Sequence, residues 1–297
     1  MVARRDILIG LGGAAIGAAV APLAWSRGMA DRRGAALGAE IARIERGIGG
    51  RLGISLHDTQ DGYRFAHRGR ERFPMCSTFK FIVAAAILQR VDQGRERLDR
   101  RIPIRASDLV EHAPVTEKHV GSRGMTVGEL CEATMTQSDN PAANLLVTAL
   151  GGLPAFGRFT AALGDRRTRL DRMEPKLNES RPGDPRDTTT PDAMRGNLER
   201  LLQGNMLTEQ SRTILTGWMI ANTTGATRLR AGLPQGWRVG DKTGAGANGS
   251  NNDIAILWPP ARRPIFVTSY LTDTKASFEA GSAAQAAVGR AIAAALG

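Results

Sequence analysis

The sequence predicts an α/β protein in which an antiparallel-sheet domain, built from both ends of the chain, carries an inserted all-helical domain. Strand-like segments lie near both ends, and segments with helical spacing of apolar residues fill the middle. The simplest arrangement of that order assigns residues 31–68 and 222–297 to the α/β domain and residues 69–221 to the helical domain. We expect the functional site to lie between the two domains.

The first elements follow from the spacing of apolar residues. Residues 31–48 show helical spacing, and the segments 52–58 and 63–67 are predicted strands around an Asp61–Gly62 turn. Helical spacing returns over residues 77–91.

The remaining elements alternate with one long polar segment. Residues 164–190 are rich in Pro, Asp and Arg and predict a long loop, which in a compact domain is usually functional or disordered. The other predicted elements are helices at 126–135, 141–150, 207–221 and 276–296, and strands at 237–244, 253–258 and 265–271.

Composition excludes several function classes. Hydrophobic residues make up 42% and charged residues 23%, which excludes wholesale disorder. Two Cys and four scattered His predict no disulfide scaffold, no metal and no cofactor. A net charge of +11 raises nucleic acid as a partner. The basic residues are spread along the chain with few aromatics among them, so we predict a solvated basic surface and no nucleic-acid binding.

Residues 1–30 resemble a cleaved export signal of the twin-arginine type. Arg4 and Arg5 precede a Gly- and Ala-rich uncharged stretch at 7–25, and small residues near its end fit cleavage. The alternative is a retained anchor, because this stretch could just span a bilayer. We expect a periplasmic or secreted monomer with no stable membrane association after cleavage.

The first motif that carries chemistry is Ser77-Thr78-Phe79-Lys80. It puts a hydroxyl and an amine three residues apart, on one face of a predicted helix. The hydroxyl would lie in the positive end of the helix dipole, and Lys80 could remove its proton if burial lowers the lysine pKa. The alternative is a helix-capping serine followed by a surface lysine.

Two further clusters follow in the chain. Ser138-Asp139-Asn140 puts two short polar side chains, the first and the third, before a helix-opening proline; the alternative is a helix cap. Lys242-Thr243-Gly244 ends a predicted strand, where the glycine lets a ligand approach the backbone; the alternative is a turn.

Together the three clusters resemble the motif set of class A serine β-lactamases and penicillin-binding proteins. Glu174 and Asn178 match the class A water-holding pair on an Ω-shaped loop, here residues 172–187, which penicillin-binding proteins lack. The resemblance implies a cis bond at Glu174–Pro175 and an Arg172–Asp187 pair that ties the ends of the loop. It extends over the segments 114–120, 124–146, 172–191 and 236–246.

The resemblance implies an acyl-enzyme formed with a small-molecule β-lactam. Ser77 would attack the lactam carbonyl, and the backbone N–H groups of Ser77 and Ala245 would hold the oxyanion. Ser138, close to Lys80 and Lys242, would pass a proton to the departing nitrogen.

The same resemblance implies how the ester is hydrolysed and the substrate held. Glu174 would activate the deacylating water with Asn178, and either Lys80 or Glu174 would activate the serine. Asn140 would hold the acylamino group of the substrate, and Thr243 its carboxylate.

The chain departs from the family pattern near the carboxylate site. Asn251 stands where many members carry an arginine, and Arg228 falls where other members supply that guanidinium; the alternative is a solvated surface arginine. His112 stands at a Tyr or Trp position on the cleft rim, where it stacks on substrate or is simply exposed. Met173 replaces a frequent tryptophan, which predicts a packing change.

Both cysteines match positions that form disulfides in some members. The partner position of Cys131 is Ala84, and that of Cys76 is Gly246, so we predict two free thiols. They are compatible with folding in the reducing cytoplasm before twin-arginine export.

Three functions are compatible with these motifs. The favoured one is β-lactam hydrolysis by a class A β-lactamase. The alternatives are a D-Ala-D-Ala peptidase or penicillin-binding protein, against which Glu174 argues, and a non-catalytic β-lactam sensor domain that would stay acylated.

Overall fold

The structure, a computed structural model, describes the backbone of residues 21–296 and the side chains of residues 32–296. The predicted export signal lies outside the described residues as far as residue 20, and from residue 21 the backbone is helical. The helices are α1 (Ala21–Ile48), α2 (Phe79–Asp92), α3 (Val127–Thr136), α4 (Asn140–Leu150), α5 (Leu153–Ala162), α6 (Pro191–Leu202), α7 (Glu209–Ile220) and α8 (Phe278–Leu296). The strands are β1 (Arg51–Asp58), β2 (Arg64–His67), β3 (Phe73–Pro74), β4 (Arg101–Ile102), β5 (Met125–Thr126), β6 (Thr188–Thr189), β7 (Arg238–Ala245), β8 (Asn251–Trp258) and β9 (Ile265–Thr272).

A five-stranded antiparallel sheet joins the two ends of the chain and confirms the predicted fold class. Its strand order is β2-β1-β9-β8-β7. β1 pairs with β9 along its whole length, from Arg51 opposite Thr272 to Asp58 opposite Ile265. β1, which precedes the helical insertion, and β9, which follows it, are therefore hydrogen-bonded neighbours. β7 is left at the edge that faces the inserted helices.

The two faces of the sheet bury two separate cores. Along β8, Ala255 and Leu257 pack with residues of α1 and α8. Ile254 and Ile256 pack with the helical domain. This alternation follows from the two-residue period of a strand, and burial on both faces explains why β8 is apolar from Ile254 to Trp258.

Helix α2 forms the centre of the helical domain. Every residue from Phe79 to Leu88 is buried, which fits its nearly uninterrupted apolar sequence. Helices α5 and α6 were not predicted. α5 follows a Gly151–Gly152 pair and contains Pro154 and Gly157, while α6 has a largely polar sequence that buries only one stripe of side chains; both features weaken the helical signal.

The long polar segment is confirmed as a loop with little regular structure. Between α5 and α6 it contains one 3-10 turn, Lys176–Glu179, and the short strand β6, which pairs with β3.

In the described part of the chain, no single helix is both long and apolar enough to cross a membrane. Helices α4 and α5 reach that length and apolarity only together, and they are bent by 75° to each other.

Cys76 and Cys131 are both free and buried, as predicted. Burial raises the pKa of the Cys76 thiol to about 12 and also raises the pKa of Cys131. The thiolate is the reactive form. We therefore expect neither thiol of the folded protein to react with a maleimide at neutral pH, and both to react after unfolding without reductant. A chain that takes up no label after unfolding, and whose mass is lower by two hydrogens, would instead contain a disulfide.

Candidate active site

The residues that the sequence singled out converge on one cleft between the β7 edge of the sheet and the helices. The cleft has a volume of about 640 Å³. Lys80, Glu174 and Lys242 lie buried beside it and reach its lining through hydrogen bonds. The lining includes Ser77, His112, Ser138, Asn140, Asn178, Arg228, Thr243, Gly244 and Ala245.

Ser77 lies on a 3-10 turn, Cys76–Thr78, that leads into α2. It does not cap the helix, because its Oγ donates to Glu174 Oε1 at 3.4 Å. β7 passes so close that a Cβ on Gly244 would lie 2.8 Å from the Met75 carbonyl oxygen and 3.1 Å from Ser77 N. The glycine was predicted to make room for a ligand; it makes room for the Ser77 turn itself.

Lys80 is completely buried, which excludes the surface-lysine alternative. Its Nζ donates to the Ser138 carbonyl at 2.7 Å, to Ser138 Oγ at 3.3 Å and to Asn140 Oδ1 at 2.5 Å, and it lies 3.1 Å from Glu174 Oε1. Burial lowers the pKa of Lys80, and the negative charge of Glu174 opposes that shift. A buried ammonium requires such a set of acceptors.

The Ser138-Asp139-Asn140 cluster divides its work between three side chains. Asp139 caps α4 by accepting from Ala142 N at 2.9 Å, and it also accepts from Thr116 N at 2.9 Å. The expected cap is thus made by the middle residue. Ser138, at a φ of 58°, and Asn140 are left free to face Lys80.

Lys242 approaches the same serine from the sheet. Its Nζ donates to Ser138 Oγ at 3.1 Å and to the Thr243 carbonyl at 2.9 Å. Burial lowers the pKa of Lys242 well below its usual value, and the positive charges of Lys80 and Arg228 lower it further. Ser138 Oγ therefore lies between two buried amines whose pKa values burial lowers.

The loop at 172–187 carries Glu174 to this cluster. Asn178 Nδ2 donates to Glu174 Oε2 at 2.6 Å, and the Glu174–Pro175 bond is cis, as the resemblance implied. The predicted Arg172–Asp187 pair is present at 2.6 Å. Both oxygens of the Glu174 carboxylate therefore accept a hydrogen bond, Oε1 from Ser77 and Oε2 from Asn178.

Arg228 is buried, with 3% of its surface exposed, which excludes the solvated alternative. Its Nη1 donates to the carbonyls of Gly244 at 2.9 Å and Asn252 at 2.5 Å, and its buried Nε has no hydrogen-bond partner. Asn251, the position of the missing arginine, points its Nδ2 to Ser282 Oγ of α8. The guanidinium that lines the cleft therefore comes from position 228.

The rim of the cleft is formed by His112 and Asn140. His112 is exposed, and its Nε2 lies 3.0 Å from the Gln137 carbonyl. Asn140 Nδ2 donates one hydrogen bond to the Glu111 carbonyl at 2.8 Å. An amide nitrogen carries two hydrogens, so one donor of Asn140 is left for a ligand.

Asn144 and Asn252 are two site-supporting residues that the sequence analysis missed. Asn144 accepts from Glu174 N at 2.9 Å and donates to the Glu174 carbonyl at 3.0 Å. Asn252 donates to the Pro74 carbonyl at 2.9 Å, just before the Ser77 turn. The spacing held a signal for the first, since Asn144 lies four residues after Asn140 and therefore on the same face of α4.

The cleft contains the components of a serine hydrolase site. They are a nucleophilic hydroxyl, buried amines, and a carboxylate within hydrogen-bonding distance of that hydroxyl. The model of the "Beta-lactamase enzyme family" matches residues 36–296. The chain is 48% identical over 252 residues to β-lactamase L2 of Stenotrophomonas maltophilia, covering 84% of this chain and 83% of that protein. It is 44% identical over 284 residues to a β-lactamase of Streptomyces albus G, covering 92% and 90%.

Solved structures agree with these relatives. The ancestral (GNCA) class A β-lactamase superposes with a TM-score of 0.86 at 58% identity, covering 88% of this chain and 100% of that chain. The putative class A β-lactamase PenP from Rhodopseudomonas palustris gives 0.86 at 52% identity, with the same coverage. The chain belongs to the class A β-lactamases, hydrolases that act on the β-lactam amide.

The two hydrogen bonds from Asn144 should fix the backbone of Glu174. We expect Asn144→Ala to lower the free energy of unfolding by about 1–3 kcal/mol, because two partly buried hydrogen bonds to the Glu174 backbone are lost. We expect kcat/KM for a penicillin to fall at least about tenfold, because the carboxylate shifts. Thr148→Ala, one turn further along α4, is the matched control and should stay within about 0.5 kcal/mol of wild type. Urea unfolding and steady-state kinetics measure both effects, and wild-type values for Asn144→Ala would contradict this role.

Proposed function

We propose that the chain hydrolyses the β-lactam ring of penicillin- and cephalosporin-type antibiotics through an ester formed on Ser77. The observation that carries this proposal is the Glu174 carboxylate, with one oxygen 3.4 Å from Ser77 Oγ and the other 2.6 Å from Asn178 Nδ2. A carboxylate held there can take a proton from the serine or from a water molecule beside the ester.

In acylation, the bond from Ser77 Oγ to the lactam carbonyl carbon forms and the ring C–N bond breaks. Ser77 hydrogen-bonds to Glu174, and within the described residues no hydrogen bond joins its Oγ to Lys80. This favours Glu174 over Lys80 as the base. Glu174 takes the Ser77 proton and passes it through Lys80 Nζ, 3.1 Å away, to Ser138 Oγ, which delivers a proton to the ring nitrogen. Glu174 is then ionised again before deacylation. The backbone N–H groups of Ser77 and Ala245 stabilise the oxyanion.

In deacylation, a water oxygen bonds to the ester carbon and the bond to Ser77 Oγ breaks. Glu174 accepts the water proton and returns it to the serine oxygen. Asn178 fixes the same water without accepting its proton. Because Asn144 holds the Glu174 backbone and Asn178 holds its side chain, the base is in position before the ester forms.

The substrate carboxylate binds at Thr243 and Arg228. Arg228 forms no salt bridge in the described residues, and the acidic groups that act on it, Asp241 and Asp253, do so without a hydrogen bond to its guanidinium. Such a buried cation gains most from an anionic ligand, because the low-dielectric surroundings strengthen the attraction. Asn140 receives the acylamino carbonyl on its remaining donor, and His112 contacts the substrate at the rim.

The proposed place of action is the periplasm or the cell exterior, with the protein working as a monomer. The proposal rests on the paired arginines and the weakly apolar stretch that follows them. Fractionation of cells producing the whole chain tests it. Replacement of Arg4 and Arg5 by lysine should keep β-lactamase activity in the cytoplasmic fraction.

Glu174→Ala should separate the two chemical steps. We expect this variant to acylate with benzylpenicillin more slowly than wild type, with Lys80 left as the basic group near the serine, and to deacylate at least about 10²–10⁴-fold more slowly, because the general base for the water is gone. The ester accumulates because deacylation is slowed more than acylation. Mass spectrometry should show the protein heavier by one intact drug molecule. Ser77→Ala is the control and should gain no mass.

Turnover of benzylpenicillin by Glu174→Ala at the wild-type rate would overturn this mechanism. A wild-type protein that itself persists as an acyl adduct would favour the penicillin-binding protein or sensor alternative. Asn178→Ala should accumulate less adduct than Glu174→Ala, because it leaves the base in place.

Arg228→Ala should weaken recognition of the substrate carboxylate. Charge-assisted hydrogen bonds are worth about 1.5–3 kcal/mol, so we expect kcat/KM for penicillins to fall about 10–150-fold. Arg228→Lys keeps the charge but loses the paired donor geometry of a guanidinium, so its kcat/KM should lie between those of wild type and Arg228→Ala. Activity of Arg228→Ala within about twofold of wild type would show that another group holds the carboxylate.

A further inference from the structure

A second concave site lies on the surface, outside the catalytic cleft. It has a volume of about 510 Å³ and shares no residue with the cleft lining. It is formed by β2 and the segment after it, the turn after α5, and α6. We call this site the arginine pocket because six arginines line it: Arg64, Arg70, Arg166, Arg167, Arg195 and Arg200.

The three acidic residues of this pocket are already engaged. Asp165 accepts from Thr168 N at 3.0 Å and from Asn197 Nδ2 at 2.6 Å. Asp192 accepts from Ser55 Oγ at 2.7 Å. Glu199 is shared between His57, Arg64 and Arg195.

Four guanidinium groups remain without an acidic partner among the described side chains: those of Arg70, Arg166, Arg167 and Arg200. A second arginine-lined hollow, at the end of α2, has fewer such groups. There Arg97 pairs with Asp99 and Arg100 with Glu96, and only Arg90 and Arg95 form no salt bridge with a described side chain. The arginine pocket therefore has an excess of positive charge, and hydrolysis of a β-lactam makes no use of it.

We propose that the arginine pocket binds a phosphate-rich anion. Guanidinium groups match phosphate oxygens with two parallel donors, and separate arginines around one hollow can each hold a different phosphate group. The volume lies within the usual range for small-ligand sites. The chemistry is common to free polyphosphates and to the headgroups of anionic phospholipids.

The test measures binding by the purified full chain at low ionic strength. One arm titrates it with sodium tripolyphosphate by calorimetry, and the other measures co-sedimentation with vesicles of phosphatidylglycerol and phosphatidylcholine. The pocket variant is R70E/R166E/R167E. The control variant, R123E/R158E/R263E, changes the net charge equally at exposed arginines outside the pocket.

We expect the pocket variant to bind at least about tenfold more weakly in one or both arms, and the control variant to change less than about threefold. Loss in the tripolyphosphate arm identifies a free polyphosphate as the ligand, and loss in the vesicle arm alone identifies a lipid headgroup. Equal weakening in both variants, or no binding by the wild type in either arm, overturns the proposal. Nitrocefin turnover checks that each variant is folded, and R166Q/R167Q replaces the pocket variant if it is not.

Discussion

The buried contact between the Lys80 ammonium and the Glu174 carboxylate is the interaction on which the rest of the site depends. Both side chains are fully buried, and their charged atoms lie 3.1 Å apart. Removing either partner would leave a buried charge without compensation, which costs several kcal/mol. The pair also joins α2 to the 172–187 loop, so the loop must lie against the helix for the helix to keep its lysine.

That requirement explains why an irregular loop can be a fixed part of the structure. A loop with few backbone hydrogen bonds of its own must satisfy many of its polar groups through side chains. Asn144 of α4 binds both backbone groups of Glu174, and within the loop Arg172 binds Asp187 across its two ends. These polar contacts, together with the buried side chain of Leu177, determine where the Glu174 carboxylate lies.

The sequence predicts elements well where one physical signal dominates. β8 and β9 each contain an apolar run because they are buried on both faces, and their bounds were predicted to within two residues. Helix α6 was missed because its buried stripe is diluted by polar residues, and its burial depends on the sheet. The three motifs and Glu174 located side chains that converge on the cleft, whereas Asn144 and Asn252 bind backbone atoms that are distant in sequence. The spacing from Asn140 places Asn144 on the correct helix face, but nothing local marks Asn252.

No disulfide joins Cys76, the residue before Ser77, to the turn after β7, and the two segments pack closely there. A Cβ on Gly246 would lie 2.8 Å from Cys76 Sγ and equally close to the Asn178 carbonyl, so the turn after β7 touches the loop with no room for a side chain. Hydrogen bonds join the two instead: Ala247 N donates to the Asn178 carbonyl at 2.9 Å, and Asn248 Nδ2 donates to the Glu179 carbonyl at 3.1 Å. Each is worth only about 1 kcal/mol. The position of Asn178 over the site therefore depends on several weak contacts acting together.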